Sequence, residues 1–299
     1  MKIRIGYGLG VNSLTNDEER YGHFVDELER LRFDSLWVSE RISGHSSDPV
    51  VAMAFCAGRT RKLKFGMSVM VLPGRNPVLV AKQLASLDRL SGGRMLPAFG
   101  LGAPNLAEWG AFAVQRKERA AIFDEALPLL RRLWTEESVT HHGRFYDFED
   151  IRVLPRPVQS PPDVWLGGAA PSELRRVGRL ADGWLPSFTT PAEVEAGMAT
   201  IEQVAAEHDR AIDPEHYGVL IPYATGPLPD AYAASLRARR PDLDPTEVAP
   251  SGIEAIRATI QRFIDVGASK FVLIPVTEPA DWTAELEQLA AELLPMQTR

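Results

Sequence analysis

Short apolar runs alternate with amphipathic stretches along almost the whole chain. The apolar runs are continuous, with few polar positions inside them, which is typical of strands buried on both faces of a parallel sheet. We expect strands at residues 2–7, 35–39, 64–72, 95–100, 163–167, 183–188, 217–224 and 270–276. We expect helices at residues 17–32, 49–60, 77–90, 117–135, 171–181, 191–209, 251–266 and 281–294.

This alternation predicts an α/β fold, a (β/α)8 TIM barrel with insertion segments, formed by residues 1–299 as a single domain. The alternative is a doubly wound sheet that binds a dinucleotide. That fold needs a G-x-G-x-x-G sequence between the first strand and its helix. Here "GYGLGV" has Val11 at the third glycine position, and polar "NSLTN" delays the helix. The barrel is therefore the favoured prediction.

Residues 101–116, 138–162 and 225–250 are too long for simple connections and are predicted to be insertions. The first and third follow strands, so they belong to the C-terminal face of a barrel, where sites are built. We expect them to cover a site. The middle segment ends in a proline-rich tract that predicts extended surface chain, whereas the third segment predicts one short helix. Pro128 lies inside a predicted helix and favours a kink or a break there.

The composition excludes several classes of protein. The chain is 45% hydrophobic, as in ordinary globular proteins, and its net charge of −7 argues against nucleic-acid or anionic-membrane partners. No apolar run reaches the ~18 residues that a bilayer crossing needs. The N-terminus lacks the apolar core of a signal peptide, and the lone Cys56 cannot form an internal disulfide. We therefore expect a cytoplasmic protein that binds neither membranes nor nucleic acids.

The candidate chemical groups are few. The chain has no G-x-S-x-G sequence and no histidine pair at metal-ligand spacing, so we expect neither a serine hydrolase nor a metal site. Glu40 and Arg41 follow the second strand, where barrels place functional side chains, although a surface ion pair explains them equally well. Ser68 interrupts an apolar strand, either as a core serine bonded to backbone or as a mark of unusual backbone geometry. Asp88 and Arg94 flank a Gly-Gly turn and are expected to pair.

Gly167 and Gly168 end the fifth strand just before a helix that begins near Pro171. Glycines at a helix N-terminus allow backbone N–H groups to approach an anion, and the helix dipole adds attraction. A tight structural turn is the alternative interpretation, and it stays open on these residues alone.

Several long stretches resemble a known family. They are "DSLWVSERISG", "LKFGMSVMVLPGRNPVLVAKQLASLDRLSGGRMLPAFGLG", "ERAAIFDEALPLLRRLW", "GRFYDFEDIRVLPRPVQSPPDVWLGG" and "LADGWLPS". Together they are similar to the luciferase-like monooxygenase superfamily, and specifically to its branch that uses the deazaflavin coenzyme F420. Members that depend on FMN share much of the same pattern, so FMN remains the alternative cofactor.

The resemblance implies a barrel that holds an isoalloxazine-type ring at the C-terminal ends of its strands. In relatives the third strand has a bulge with a non-proline cis peptide behind the ring, and the matching bond here is Ser68–Val69. The cofactor phosphate of relatives lies on the turn after the fifth strand. The implied cofactor-binding residues of this chain are Ser68, Val69, Leu101, Gly102, Ala103, Gly167, Gly168, Ala169 and Ala170, and the implied substrate contacts are Glu108 and Trp109.

Two departures from the family change the expected chemistry. Deazaflavin-dependent sugar-phosphate dehydrogenases have an Asp-His pair where this chain has Glu40 and Arg41, and a glutamate where it has Ala103. Their acid/base pair is absent here, which argues against sugar-phosphate oxidation. Arg41 stays charged and is a poor proton shuttle, but it suits holding a substrate anion or steadying negative charge on the reduced cofactor.

The expected function is hydride transfer between coenzyme F420 and a small organic substrate, with Glu40 and Arg41 as the catalytic candidates. The first alternative is an FMN-dependent luciferase-like monooxygenase. The second is a protein that binds a flavin-type cofactor without turnover. A homodimer is common among relatives and is expected here.

Overall fold

Strands and helices alternate as the sequence predicts. The computed structural model describes residues 1–10, 16–102 and 106–298. The strands are β1 Arg4–Leu9, β2 Ser35–Val38, β3 Lys64–Met67, β4 Met70–Val71, β5 Met95–Leu96, β6 Ala98–Gly100, β7 Val139–His142, β8 Asp147–Ile151, β9 Trp165–Leu166, β10 Gly183–Trp184, β11 Gly218–Tyr223 and β12 Lys270–Pro275. The α-helices are α1 Glu18–Leu31, α2 Pro49–Arg59, α3 Pro77–Ser91, α4 Leu106–Ala111, α5 Arg119–Thr135, α6 Pro171–Leu180, α7 Pro191–Glu207, α8 Asp230–Arg239, α9 Pro245–Val248, α10 Ile253–Asp265 and α11 Trp282–Leu293.

Parallel pairing arranges the strands around a barrel. One sheet has the order β11-β12-β1-β2-β3-β5 and a second has the order β10-β9-β6-β4. β3 and β4 are two parts of the third barrel strand, and β5 and β6 are two parts of the fourth. Isolated parallel bridges, Trp184 to Tyr217 and Ser187 to Leu220, join the β10 region to β11. The eight strand positions therefore follow one another in chain order, which confirms the predicted α/β fold of TIM-barrel type.

The barrel interior is filled by a cluster separate from the main core. Its buried members are Trp37, Ala98, Trp165, Leu185, Leu220 and Val272. They alternate along their strands with residues that pack under the helices, so they face inward. Gly66 leaves room for this packing, because a Cβ there would come within 2.8 Å of the Trp37 ring.

Short polar caps start the helices at the C-terminal face of the barrel. The side chains of Asp48 and Asn76 accept backbone N–H bonds from the first turns of α2 and α3, and each helix begins with proline at its first position. A polar cap followed by proline is a strong local start signal, which explains why these helix starts agree with the sequence prediction. None of the helices in the described ranges is long and apolar enough to cross a membrane.

Three expectations about local structure need correction. α5 runs through Pro128 as one continuous helix, so the prediction of a break at that residue is wrong. The third insertion contains two helices, α8 and α9, where one was expected. The middle insertion begins with the antiparallel hairpin β7–β8 and continues into its extended proline-rich tract, which agrees with the prediction for that tract. Arg94 does not pair with Asp88 among the described contacts. Its guanidinium donates to carbonyls at the end of α2, and Asp88 accepts N–H bonds from residues 158 and 159.

Candidate active site

A cavity of about 470 Å³ opens at the C-terminal mouth of the barrel. Its size is that of an ordinary small-molecule site. Strand ends supply Ser39, Arg41, Ser68, Ser187, Phe188, Pro222 and Ile274 to its wall, and the third insertion supplies Tyr232 and Arg239. The expectation that the third insertion covers a site is therefore consistent with the position of this cavity.

The wall at the third strand is built around Ser68 and Val69. The peptide bond between them is cis, as the resemblance implies. Ser68 lines the cavity, and its carbonyl oxygen lies 3.4 Å from the Ser39 hydroxyl, which donates to it. Val69 packs against two glycines, since a Cβ on Gly100 or Gly167 would come within 2.5 Å or 3.3 Å of its methyl groups. This packing brings the third, fourth and fifth strands together beneath the cavity.

Arg41 and Glu108 come from distant segments and meet beside the cavity. One guanidinium nitrogen of Arg41 lies 3.8 Å from a carboxylate oxygen of Glu108. The Ser43 hydroxyl donates to the same oxygen at 3.0 Å, and Glu108 is buried. The Nε atom of Arg41 is also buried and has no hydrogen-bond partner among the described residues. Arg41 therefore keeps one donor that no described residue satisfies.

Glu40 points away from the cavity, although it is adjacent to Arg41. Its carboxylate accepts the Val71 N–H at 2.6 Å and pairs with Arg75. Burial raises the pKa of Glu40, while Arg75 and the Val71 N–H oppose that rise. Successive residues of an extended chain point to opposite faces, so Glu40 cannot share the orientation of its neighbour. Its contacts hold β4 in place immediately after Ser68–Val69.

The segment after β6 has a special backbone at Gly102. Its φ is +87°, and a Cβ there would lie 3.2 Å from Val71. Glycine adopts this left-handed conformation without steric cost. The neighbouring Leu101 is partly buried and packs against the main core, whereas Ala103 lies outside the described residues.

Trp109 lies on α4 among arginines. The guanidinium carbons of Arg116 and Arg119 lie 5.2 Å and 5.4 Å from the centre of its ring, within cation–π range. Arg119 also donates to the Gly102 carbonyl at 3.4 Å. Neither Glu108 nor Trp109 is part of the described cavity wall, and Glu108 reaches the site through its contact with Arg41.

The turn at residues 167–170 lies between the fifth strand and α6, as predicted, but the carboxylate of Glu173 lies beside it. Gly168 has a φ of +89°, and its carbonyl accepts the Trp184 indole N–H at 2.7 Å. Ala170 caps α6, and its N–H donates to the carboxylate of Glu173 at 2.9 Å. The same carboxylate would lie 2.4 Å from a Cβ on Gly168. An anion bound by this turn must therefore compete with Glu173.

Sequence reasoning missed the side chains that the third insertion brings to the cavity. The guanidinium of Arg239 lies 4.2 Å from the centre of the Phe188 ring, and Tyr232 lines the wall from the same face of α8, two turns earlier. The available signal was the position of residues 225–250 after the seventh strand. That signal indicates a segment, and it does not distinguish individual residues within it.

Comparisons with known proteins agree with this fold. Residues 7–269 match the luciferase-like monooxygenase family. The F420-dependent glucose-6-phosphate dehydrogenase of Kineococcus radiotolerans is 29% identical over 191 residues, which cover 61% of this chain and 56% of that protein. The match thus spans little more than half the length of that relative.

Two solved structures share the fold at low identity. An F420-dependent secondary alcohol dehydrogenase, solved with an F420-acetone adduct, aligns over 100% of both chains with a TM-score of 0.81 and 19% identity. The oxygenating constituent of 3,6-diketocamphane monooxygenase from Pseudomonas putida, solved with FMN, covers 100% of this chain and 99% of its own, with a TM-score of 0.77 and 16% identity. With its family match over most of its length, the chain belongs to the luciferase-like monooxygenase family.

Proposed function

We propose that this protein is an oxidoreductase that transfers a hydride between coenzyme F420 and a small organic substrate. The cavity at the mouth of the barrel is the observation that carries the proposal. Ser68, on the third strand, lies on its wall, and the 167–170 turn follows the fifth strand, with the fourth strand between them, as the resemblance to F420-dependent relatives implies. When bound, the deazaflavin supplies two-electron hydride chemistry, and the protein supplies position and electrostatics.

The residues present fit a cofactor of this kind. Val69, packed between Gly100 and Gly167, gives an apolar surface behind the proposed ring position. Leu101 and Gly102 follow the fourth strand, and Ala169 and Ala170 immediately precede α6, with Ala170 at its N-cap position. Backbone N–H groups at a helix N-terminus bind phosphate well, once the Glu173 carboxylate releases Ala170.

Arg41 is the residue that we assign to the chemistry. Its guanidinium lines the cavity, and its buried Nε donor has no hydrogen-bond partner among the described residues. Arg41 therefore stabilises negative charge on the substrate or the reduced cofactor, and Glu108 orients it. Glu40 has a different part in this proposal, because its bonds to Val71 and Arg75 position the third strand.

An FMN-dependent monooxygenase is the second candidate, and the FMN-bound neighbour with the same fold favours it. Equilibrium titration of the purified apoprotein with each cofactor separates the two. We expect tight binding of F420, weak binding of FMN, and bleaching of the oxidised deazaflavin spectrum by a reducing substrate. Tight FMN binding with no F420 binding would refute the first proposal. Binding without turnover on a broad substrate panel would indicate a non-catalytic carrier.

We also propose that the protein is a cytoplasmic homodimer without a nucleic-acid or membrane partner. Its charge of −7 and its single, buried cysteine support this assignment. Val51 and Leu79, in the first turns of the packed helices α2 and α3, are exposed to 63% and 62% and offer an apolar contact. Light scattering of the wild type and of the Val51→Asp, Leu79→Asp double variant tests the dimer, and an unchanged mass would exclude this contact.

A further inference from the structure

The charges around the cavity are unequal. Arg41 and Arg239 bring two guanidinium groups to its wall, whereas Glu278 brings one carboxylate. Glu278 is already paired with Arg20, and Arg41 faces Glu108 at 3.8 Å. Arg239 is left with no carboxylate partner among the described residues. The described wall therefore has one uncompensated positive charge, in a protein whose net charge is −7.

Arg239 is held in place by its surroundings, although it is exposed at the cavity opening. Its guanidinium stacks on the Phe188 ring at 4.2 Å. The next residue, Arg240, donates to the Phe188 carbonyl at 2.8 Å and pairs with Glu193 and Asp242 at 2.7 Å and 2.8 Å. The nearby acids at this end of α8 are thus engaged by Arg240, and Phe188 is fixed as the platform beneath Arg239.

We infer that the substrate of the proposed F420-dependent reaction is a small carboxylic acid whose carboxylate is bound by Arg239. This inference rests on the proposed function and adds the class of substrate. A guanidinium presents parallel N–H donors that match a planar carboxylate, and stacking on an aromatic ring leaves those edge donors available. One uncompensated positive charge suits a monoanion. A phosphate monoester carries close to two negative charges at neutral pH and is a poorer match.

The rest of the wall is suited to an apolar body. Leu220, Ile274 and Trp282 line the cavity together with Phe188 and Tyr232. Carbon-rich walls with a few polar groups bury the body of a ligand and orient it through its polar end. With its carboxylate at Arg239, such a ligand extends toward Arg41 and Ser68, where the proposed hydride transfer takes place.

Calorimetric titration of the F420-loaded protein with three probes tests the inference. The probes are benzoate, its neutral analogue benzamide, and phenyl phosphate. We expect benzoate to bind about tenfold or more tightly than benzamide, and at least as tightly as phenyl phosphate. Arg239→Gln should lose about tenfold in benzoate affinity with no change for benzamide, and Arg239→Lys should recover part of the loss.

Arg237→Gln is the matched control, because Arg237 is an exposed arginine on the same helix and is not part of the described cavity wall. It should leave benzoate affinity unchanged. Equal affinity for benzamide and benzoate, or a clear preference for phenyl phosphate, would overturn the inference. The inference would also be overturned if Arg239→Gln lost F420 affinity but kept benzoate affinity, since Arg239 would then bind the cofactor. The same titration is made with the apoprotein, and if the wild type failed to bind F420 but the apoprotein kept its selectivity for benzoate, the result would refute the proposed function and leave the ligand class intact.

Discussion

Glu173 is the side chain that opposes anion binding at the 167–170 turn. Its carboxylate accepts the Ala170 N–H and lies beside Gly168, so a bound phosphate would face like charge there. Glu173→Gln keeps an acceptor for the helix cap and removes the charge. We expect the variant to bind F420 about two- to fivefold more tightly at low salt, with a smaller gain at high salt.

Fluorescence titration of the apoprotein measures this effect. Glu195→Gln, an exposed carboxylate on α7, is the control and should change nothing. Equal or weaker F420 binding by Glu173→Gln would show that the phosphate does not approach this turn.

Gly100 allows Val69 to occupy its position below the cavity. A Cβ at Gly100 would lie 2.5 Å from a Val69 methyl group, so one of the two must move. We expect Gly100→Ala to lower the free energy of unfolding by about 1–3 kcal/mol and to weaken F420 binding. Gly58→Ala in α2 is the contrasting control, because no atom lies within 4 Å of its added Cβ. It should stabilise the protein by up to about 1 kcal/mol, as measured by chemical denaturation.

Part of this site was predictable from single residues. Arg41 and Glu108 were selected from separate segments, and the structure brings them within 3.8 Å of each other. Glu40 was selected because it follows the second strand together with Arg41, and the alternation of an extended chain turns it to the opposite face. Arg239 could not be selected, because nothing in "SLRARRPD" separates it from its neighbours until α8 packs beside Phe188.

At the scale of elements, Glu29 of α1 anchors the turn between α2 and β3. Its carboxylate accepts N–H bonds from Arg61, Lys62 and Leu63 at 2.7 Å, 3.1 Å and 2.9 Å. Burial opposes ionisation, but these N–H groups prevail and lower the pKa of Glu29 below 4.5. Glu29→Gln should therefore reduce the free energy of unfolding by about 1–2 kcal/mol at neutral pH.

The lowered pKa of Glu29 determines how the stability difference between wild type and Glu29→Gln depends on pH. A lowered pKa means that the stabilisation is complete above the ordinary value of 4.5 and is lost as the pH falls through the folded-state pKa. The difference between wild type and Glu29→Gln should shrink on acidification in urea-unfolding curves. Glu19→Gln on the exposed side of α1 should show no such trend. A difference that stays constant from pH 7 to about pH 3 would contradict the ionised contact.

The elements themselves were largely predictable, because their limits depend on local caps and apolar runs. α2 and α3 begin at the proline that the sequence indicates, each after a capping side chain. The third strand was predicted as continuous from 64 to 72, but β3 ends at Met67 and β4 begins at Met70. Arg94 and Asp88 found partners far along the chain, and such contacts depend on packing that no local pattern encodes.

At the scale of the whole molecule, the two ends of the barrel differ in how their charged side chains are paired. Among the described residues, the C-terminal mouth has a guanidinium without a carboxylate partner, whereas the N-terminal end holds a closed ion pair. Lys270 is buried, and its ammonium lies 2.6 Å from Asp34 and 3.4 Å from the Ser35 hydroxyl. It also lies 5.6 Å from the centre of the Trp37 ring. This arrangement satisfies a charge inside the barrel and joins the last strand to the second.

Removing one partner of this pair should therefore cost far more than removing both. Asp34→Asn leaves the buried ammonium uncompensated and should lower the free energy of unfolding by about 3–5 kcal/mol. The double variant Asp34→Asn, Lys270→Met should recover much of that loss.

Burial lowers the pKa of Lys270, and Asp34 opposes this shift, so the pKa of Lys270 is lower still in the Asp34→Asn variant. Its stability should then rise relative to wild type as the pH increases toward 10.5, because the unfolded chain binds the extra proton. Urea unfolding between neutral and alkaline pH measures both effects, and an additive double variant or a flat pH profile would refute the ion pair. F420 affinity should be unchanged in each variant that folds, because the pair lies at the opposite end of the barrel from the cavity.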